Sequence, residues 1–353
     1  MVKNLVFALI LLLPSLMIGQ IGGRTPFDFM RLAASGRVVA MGGDNVSIMD
    51  DDVHFGWHNP ALVNDSMHGR LALSVSNYLG DLTLGYAGYS RTSDKFGSWH
   101  VGIHYLSAGQ FDGFDALGNP TTAYSAGEYA IVAGLSRPLG PFRYGANVKF
   151  MWSSLASGFS ANTSAIALDV GAAYRSPSKL FMAGLSVKNT GIMLSSPVAG
   201  GTNEGLPLEF QAGFSNKLRY MPLRFSVTFT NIEHPNLIFQ DPNAPPRFDL
   251  NGQLIEDPDP FLDNLVRHVV FGGEFLLGKA LRLRGGYRHL RRQELKAINR
   301  SGLTGFSLGA GIRIGKLAFD YGFSTYGVSN TFNTHQFSLL LNLNKKKALQ
   351  PKG

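Results

Sequence analysis

The feature that most constrains this chain is an alternation of period two that recurs from residue 70 to residue 344. In the stretch 142–152 the even positions are Phe142, Tyr144, Ala146, Val148, Phe150 and Trp152, and the odd ones include Arg143, Asn147 and Lys149. Successive side chains on a strand point to opposite faces. As a strand this segment has one apolar face and one polar face, whereas a helix would mix them. The pattern returns at Leu208, Phe210, Ala212, Phe214, then at Leu223, Phe225, Val227, Phe229, and again at Leu317, Phe319, Tyr321, Phe323.

Read this way, the chain predicts strands over 70–78, 82–92, 97–107, 127–137, 142–153, 164–175, 179–188, 207–216, 222–231, 267–276, 279–289, 303–314, 316–325 and 335–344. Their lengths are near the 9–11 residues that a tilted strand needs to cross a bilayer. An even number of antiparallel strands suits a single-chain outer-membrane barrel. The connections alternate in length. Those at 93–96, 138–141, 176–178, 217–221, 277–278 and 315 are short; those at 108–126, 154–163, 189–206, 232–266, 290–302 and 326–334 are long, and only 79–81 breaks the rule. Membrane barrels keep short turns on the periplasmic side and longer loops outside, so both ends of the barrel are expected to face the periplasm. Open sheet edges cannot lie in hydrocarbon, so the sheet has to close. The expected fold is all-β: a transmembrane antiparallel β-barrel of about fourteen strands over 70–344, preceded by an N-terminal hatch at 20–69.

Composition agrees. Hydrophobic residues make up 44% of the 353 and charged residues 16%, well under the ~25% charged residues of soluble domains. With no cysteine there is neither a disulfide scaffold nor a thiolate metal site. A soluble sandwich would bury the apolar face in a core. Against it stand the number of similar strands, a polar face rich in Gly, Ser and Arg that suits a hydrated lumen, and aromatics near strand ends (Tyr78, Trp99, Tyr105, Tyr129, Trp152, Tyr174, Tyr287, Tyr321, Tyr326). Residues 1–19 read as a secretory signal peptide, with Lys3, an apolar run from Leu5 to Leu13 and a small Gly19 before Gln20. Residues 345–353 are a polar tail that opens with Lys345, Lys346 and Lys347.

The hatch segment does not alternate. Its stretch SGRVVAMGGDNVSIMDDDVHFGWHNPALVN holds Met41 and Gly42, the run Asp50, Asp51, Asp52, and the turn Asn59, Pro60, Ala61. It resembles the N-terminal hatch of FadL-type long-chain fatty-acid transporters. Within that group the chain is most similar to the PorV/PorQ family of type IX secretion barrels, through HNPALVN, GEYAIVAGLSRPLG, YGANVKFMWSSL and LPLEFQAGFSNKLRYMPLRFSV over nearly the whole mature length. The resemblance implies an outer-membrane component of type IX secretion. It would anchor a PorZ-like surface protein beside a sortase and a PorV-like barrel, in a complex that attaches cargo to anionic lipopolysaccharide.

No G-x-S-x-G elbow, H-E-x-x-H pair or Walker loop is present, and no catalytic residue, cofactor or metal site is expected. His100 and His104 share a lumen face but lie about 13 Å apart, so they read as filler. Asp50–Asp52 lacks the graded oxygen spacing of a calcium loop and reads as a solvated turn or a partner for lumen arginines. The cations Arg288, Arg291, Arg292, Lys296 and Arg300, which continue Arg282 and Arg284, have two readings: a lumen group paired with hatch acids, or an external patch for anionic glycolipid or an acidic partner. Phe239, Phe248 and Phe261 sit among prolines in the longest loop and are the expected partner-docking residues. Nucleic acid is not an expected partner. The alternative function is transport of small hydrophobic compounds, opposed by the polar lumen positions although Val132 and Met151 are apolar there; a general porin comes third.

Overall fold

The computed structural model describes residues 26–78, 82–115, 117–154, 163–195, 205–238, 260–295, 302–326 and 333–344. The expected signal peptide and the lysine tail lie outside them. Fourteen antiparallel strands form one closed barrel in sequence order. They are β1 (Arg70–Asn77), β2 (Thr83–Ser93), β3 (Gly97–Phe114), β4 (Pro120–Leu139), β5 (Phe142–Ser154), β6 (Thr163–Arg175) and β7 (Phe181–Ser195), then β8 (Glu209–Lys217), β9 (Leu223–Phe229), β10 (Val269–Leu277), β11 (Leu281–Arg288), β12 (Phe306–Ile314), β13 (Leu317–Thr325) and β14 (Asn333–Asn342). The seam closes where Arg70 of β1 pairs with Asn342 of β14. Every expected strand is present.

The alternation resolves in the direction that a membrane requires. On β5 the apolar positions Phe142, Tyr144, Val148 and Phe150 are exposed on the outside, while Arg143, Asn147, Lys149 and Met151 are buried inside. Phe142 and Trp152 bound this outer band. Ten residues of strand span about 33 Å, or about 25 Å once tilted, the height of a barrel's apolar belt. Aromatics ring the belt at both ends. Phe142, Tyr174, Phe181 and Phe214 form a chain of ring contacts at the short-turn end; Tyr129 stacks on Trp152, and Tyr287 meets Phe306, at the other.

Two expected loops are partly strand. The segment 108–126 carries β3 and β4 beyond the belt as a paired hairpin with register shifts between Ser107 and Gly113. A tight turn closes it, in which the Asp115 carboxylate accepts from the backbone N–H of Leu117 and Asn119. The alternation weakens there because no hydrocarbon faces the outer side. β7 runs on to Ser195 past a bulge opposite Asp169. Short helices flank the outer mouth: α3 (Pro260–Arg267) and α4 (His289–Glu294). Two others, α1 (Gly36–Ala40) and α2 (Phe55–His58), lie within residues 26–69, which fill the lumen.

The hydrated lumen expected from the polar inner face is not what these residues build. The buried apolar clusters of the molecule are the hatch itself. Phe27, Phe29, Met30, Val53, Trp57 and Met67 pack on Ala130, Val132 and Met151 of the wall; Val38, Met41, Ile48, Phe55 and Leu62 pack on Ala173 and Met182. Each such side chain contributes about 1.5–3 kcal/mol on burial. The wall's glycines serve this close approach. A Cβ at Gly145 would lie 2.6 Å from the Pro60 carbonyl carbon, and one at Gly286 would collide with the backbone of Met41 and Gly42.

Candidate functional site

The hatch is fixed to the wall through its polar residues, and the expected motif residues are the anchors. α1 starts at Ser35, whose hydroxyl accepts from the Val38 N–H, and it carries Arg37 into the lumen. Arg37 Nε donates to Glu274 of β10 at 2.9 Å, Nη2 to Asp50 at 2.7 Å and Nη1 to Asp52 at 3.3 Å. The register places Glu274 directly across from Arg224 on β9 and from Arg284 on β11. Glu274 therefore accepts from three guanidiniums, and Arg284 passes the network on to Asp320 at 2.5 Å.

Each carboxylate of the Asp run has cations of its own. Asp50 also meets Arg224 at 3.3 Å. Asp51 takes Arg313 through two oxygens, at 2.7 and 2.9 Å, and Arg70 at 2.9 Å. Asp52 accepts from the His54 ring at 2.7 Å. Burial alone would raise the Asp52 carboxyl, but His54 and Arg37 more than offset it and hold it well below the usual carboxylate range. Burial likewise works against Asp51, and Arg313 and Arg70 hold it low. For Asp44 burial prevails and its carboxyl is raised, although Arg288 lies 2.6 Å away. Burial pushes His58 well below the ordinary imidazole range, and the nearby Lys188 adds to this.

The turn Met41–Gly43 leaves α1 through two glycines at φ 102° and 104°, the left-handed region that favours glycine. Asn59 caps the turn Pro60–Leu62: its Oδ1 accepts from the Ala61 N–H at 2.9 Å. Its amide nitrogen donates to Val46 O at 2.9 Å and to Leu185 O of β7 at 3.2 Å, joining two hatch segments to the wall. The Asn-Pro-Ala turn is thus a structural joint.

On the opposite wall the ion pairs lie between strands. Lys149 of β5 meets Asp169 of β6 at 2.7 Å, and Lys188 of β7 meets Glu209 of β8 at 2.8 Å. Trp57 presents its ring face 4.5 Å from Lys149 Nζ. His104 packs edge-on against Trp57 at 4.6 Å, and both His100 and His104 are buried. Sequence reading offered lumen arginines as partners of the Asp run, which Arg224, Arg313 and Arg70 are, but did not say which arginines or find Arg37 and Glu274. The missed signal was register: Arg224, Glu274 and Arg284 fall into one row once the hairpins are aligned.

The external basic patch is corrected in part. Arg288 turns inward to Asp44, and Arg291 is buried against Ser324, Gly42 O and the Tyr326 ring at 4.3 Å. Both serve the hatch, because buried carboxylate and carbonyl oxygens lie within their reach. Arg292 is half-buried, and Lys296 and Arg300 lie outside the described residues. Of the expected docking aromatics, Phe261 is 71% exposed on α3, and Phe239 and Phe248 lie outside the described residues. Beside Phe261, Leu262 and Leu265 are also exposed.

Between hatch and wall near the outer mouth is a cavity of about 50 Å³, lined by Arg31, Tyr78, Arg288 and Arg291 among others. For comparison, a dry apolar cavity of ~150 Å³ holds benzene. An open groove of about 790 Å³ lies at the other end beside the turn 94–96, lined by Asp65, His68, Arg91 and Trp99. Among the described residues no cluster of three metal-ligating side chains occurs.

No family model and no curated protein matches the chain. Solved structures do. TodX, the toluene transporter of Pseudomonas putida, matches with a TM-score of 0.51 at 10% identity, over 88% of this chain and 97% of that one. A FadL homologue from Pseudomonas aeruginosa gives 0.49 at 11% identity, over 88% and 98%. CymD, a monoaromatic hydrocarbon channel, gives 0.49 at 14% identity, over 89% and 99%. The likeness to TodX is one of fold: the chain has the architecture of FadL-type outer-membrane barrels.

Proposed function

We propose that this chain is a plugged, non-catalytic outer-membrane barrel whose work is done at its outer face, as an anchor for a surface protein. The observation that carries this reading is the lumen. Hatch and wall share buried ion pairs and an apolar core, and the lumen cavity near the outer mouth, about 50 Å³, is too small for a hydrocarbon guest. The resemblance to the PorV/PorQ family supports the finer assignment, a PorQ-like role that holds a PorZ-like partner in type IX secretion, near a sortase and a PorV-like barrel. The apolar residues exposed on the outer rim, Phe111, Phe114 and those of α3, offer docking area.

Deleting residues 236–262 tests this. The surface partner is expected to leave the cell surface and to stop co-purifying with the barrel from outer membranes in mild detergent. Full retention of the partner would sink the loop assignment.

A second reading, transport of small hydrophobic compounds, is favoured by the fold shared with the toluene transporter TodX. It requires the hatch to move or a route past it. Loss of hydrocarbon uptake in a deletion strain, restored by the wild-type chain, would establish that reading over the anchor. A large single-channel conductance would favour a porin instead.

A further inference from the structure

We propose that the short-turn end of the barrel is a binding surface for anionic phospholipid headgroups of the leaflet that surrounds it. Every hairpin turn at this end carries or adjoins an exposed cation. Arg91 and Lys95 flank the β2–β3 turn and Arg137 the β4–β5 turn. Lys179 sits on the β6–β7 turn, and Lys217 and Arg219 on β8–β9. Lys279 and Lys316 complete the ring at the β10–β11 and β12–β13 turns. The one acidic residue on these turns is Asp94.

Among the described residues, no carboxylate lies within ion-pair distance of these cations, whereas the lumen arginines Arg37, Arg224, Arg284 and Arg313 are each paired with one. Their contacts are with backbone and rings. Arg137 donates to the carbonyls of Lys95 and Phe96 at 2.9 and 3.2 Å, tying two neighbouring turns together. Lys95 Nζ lies 5.4 Å from the Phe96 ring, and the Arg219 guanidinium 5.6 Å from the Tyr220 ring.

The apolar neighbours place these charges at a lipid headgroup level. Phe96, Leu139, Tyr220 and Met221 are exposed on the same turns, Tyr220 at 89%. Rings and long apolar stems at the edge of hydrocarbon, with cationic heads beside them, are what a membrane interface stabilises. The outer end differs: there exposed carboxylates, Asp112, Asp115 and Glu294, stand among the cations. A protein partner would cover one sector or the mouth. A ring that occupies all six turns instead matches an annulus of lipid, and the Asp51–Arg313 and Asp51–Arg70 pairs of the hatch are already closed on themselves. The inference uses the fold alone and holds under either functional reading.

The test uses the full chain in nanodiscs of mixed phosphatidylcholine and phosphatidylglycerol, with native mass spectrometry reading the lipids that stay bound. Phosphatidylglycerol is expected to be enriched about fivefold per occupied site over its bulk share, and the enrichment is expected to collapse at 1 M salt, where charges are screened within ~3 Å. A variant with Lys179→Ser, Lys217→Ser, Arg219→Ser and Lys279→Ser is expected to bind the two lipids in their bulk ratio. Retained lipid at the bulk ratio in the wild type, or enrichment indifferent to salt, overturns the proposal. So does a variant that keeps its enrichment. If the wild type shows no lipid preference and the variant instead loses an acidic protein from outer-membrane preparations, the ring is a protein-docking surface and the lipid assignment is wrong. Should the variant not fold, the salt dependence of the wild type decides.

Discussion

The two sides of the lumen hold the hatch by different physics. Toward β9–β13 the ion pairs cross from hatch to wall: Arg37 to Glu274, Asp50 to Arg224, Asp51 to Arg313. Toward β5–β8 the wall's own charges pair with each other, Lys149 with Asp169 and Lys188 with Glu209. There the hatch is held by the Trp57 ring and the Asn59 amide; glycines admit its backbone on both sides, Gly145 and Gly171 here and Gly286 and Gly322 on the other. One side is an ionic lock; the other is a packed seat. Breaking a buried pair leaves a charge without its partner, whereas opening a packed seat exposes apolar surface. The two sides are therefore expected to respond to different stresses, and substitutions can separate them.

The largest effect is expected at the lock. Glu274→Gln keeps shape but removes the charge that three guanidiniums share, and should destabilise the folded barrel by about 3–5 kcal/mol in urea unfolding from detergent micelles. Trp57→Ala on the seat leaves a cavity and belongs in the same range, about 3–5 kcal/mol. A second substitution tells them apart. The Glu274→Gln defect, which leaves three guanidiniums around a neutral amide, should ease when Arg224 is also changed to Met. The Trp57→Ala defect should ignore that second change. Equal responses would mean that the hatch is held as one undivided unit.

Asn59→Ala comes next. It removes bonds to Ala61, Val46 and Leu185 and leaves buried backbone groups without partners, a loss of about 2–3 kcal/mol. Hydrogen exchange should show faster opening around Val46 and Leu185, with the Glu274 network protected as before. Uniform loss of protection would contradict the division into two sides.

Much of this was legible in the sequence, and for a definite reason. Period two in 142–152 told inside from outside because hydrocarbon tolerates no exception across the belt, and the short turns fixed the order of strands. The hairpin 108–126 escaped because it leaves the belt. Gly145, Gly171 and Gly286 read as lining for a wet lumen, yet they are seats for Pro60, Asn59 and Met41. That cannot be read from the wall alone, since a glycine's partner is on another segment. Asp50–Asp52 was visible as a cluster, but Arg37 was not. The hatch has no period, and a single arginine there carries no sign of facing a strand more than two hundred residues away.

The pH response sharpens the comparison at a smaller amplitude. Asp51 and Asp52 have carboxyls below their ordinary values, so they contribute stability that is present above about pH 4 and lost as pH falls through their lowered values. His58, on the seat side, is held neutral. The unfolded chain takes up its proton first, so its contribution is complete above about pH 6.5 and declines as pH falls from there. Asp44, raised by burial, acts in the opposite sense between about pH 4 and its raised value and partly blunts this decline. Stability should fall with acid in two limbs. His58→Gln should shrink the upper limb, to which the buried His100 and His104 also belong, and leave the lower one in place. A single limb below pH 4 in the wild type would remove His58 from the account.

The smallest effect tests where the rim arginines belong. Arg288 reaches into the lumen to Asp44, and its side chain is 18% exposed, whereas Arg292, about one helical turn further on, is half-buried at the rim. A hatch contact and a rim contact differ in their dielectric surroundings, and an exposed ion pair gives at most about 1 kcal/mol. Arg292→Ala should therefore change unfolding by under about 0.5 kcal/mol, within the range of ordinary surface substitutions. Arg288→Ala should cost several times more, because it strands the buried Asp44 carboxylate, and the loss should shrink when Asp44→Asn accompanies it. If the two single variants behave alike, Arg288 acts at the surface in solution, the external basic patch regains its two inner members, and the ionic lock ends at Asp50 and Asp51.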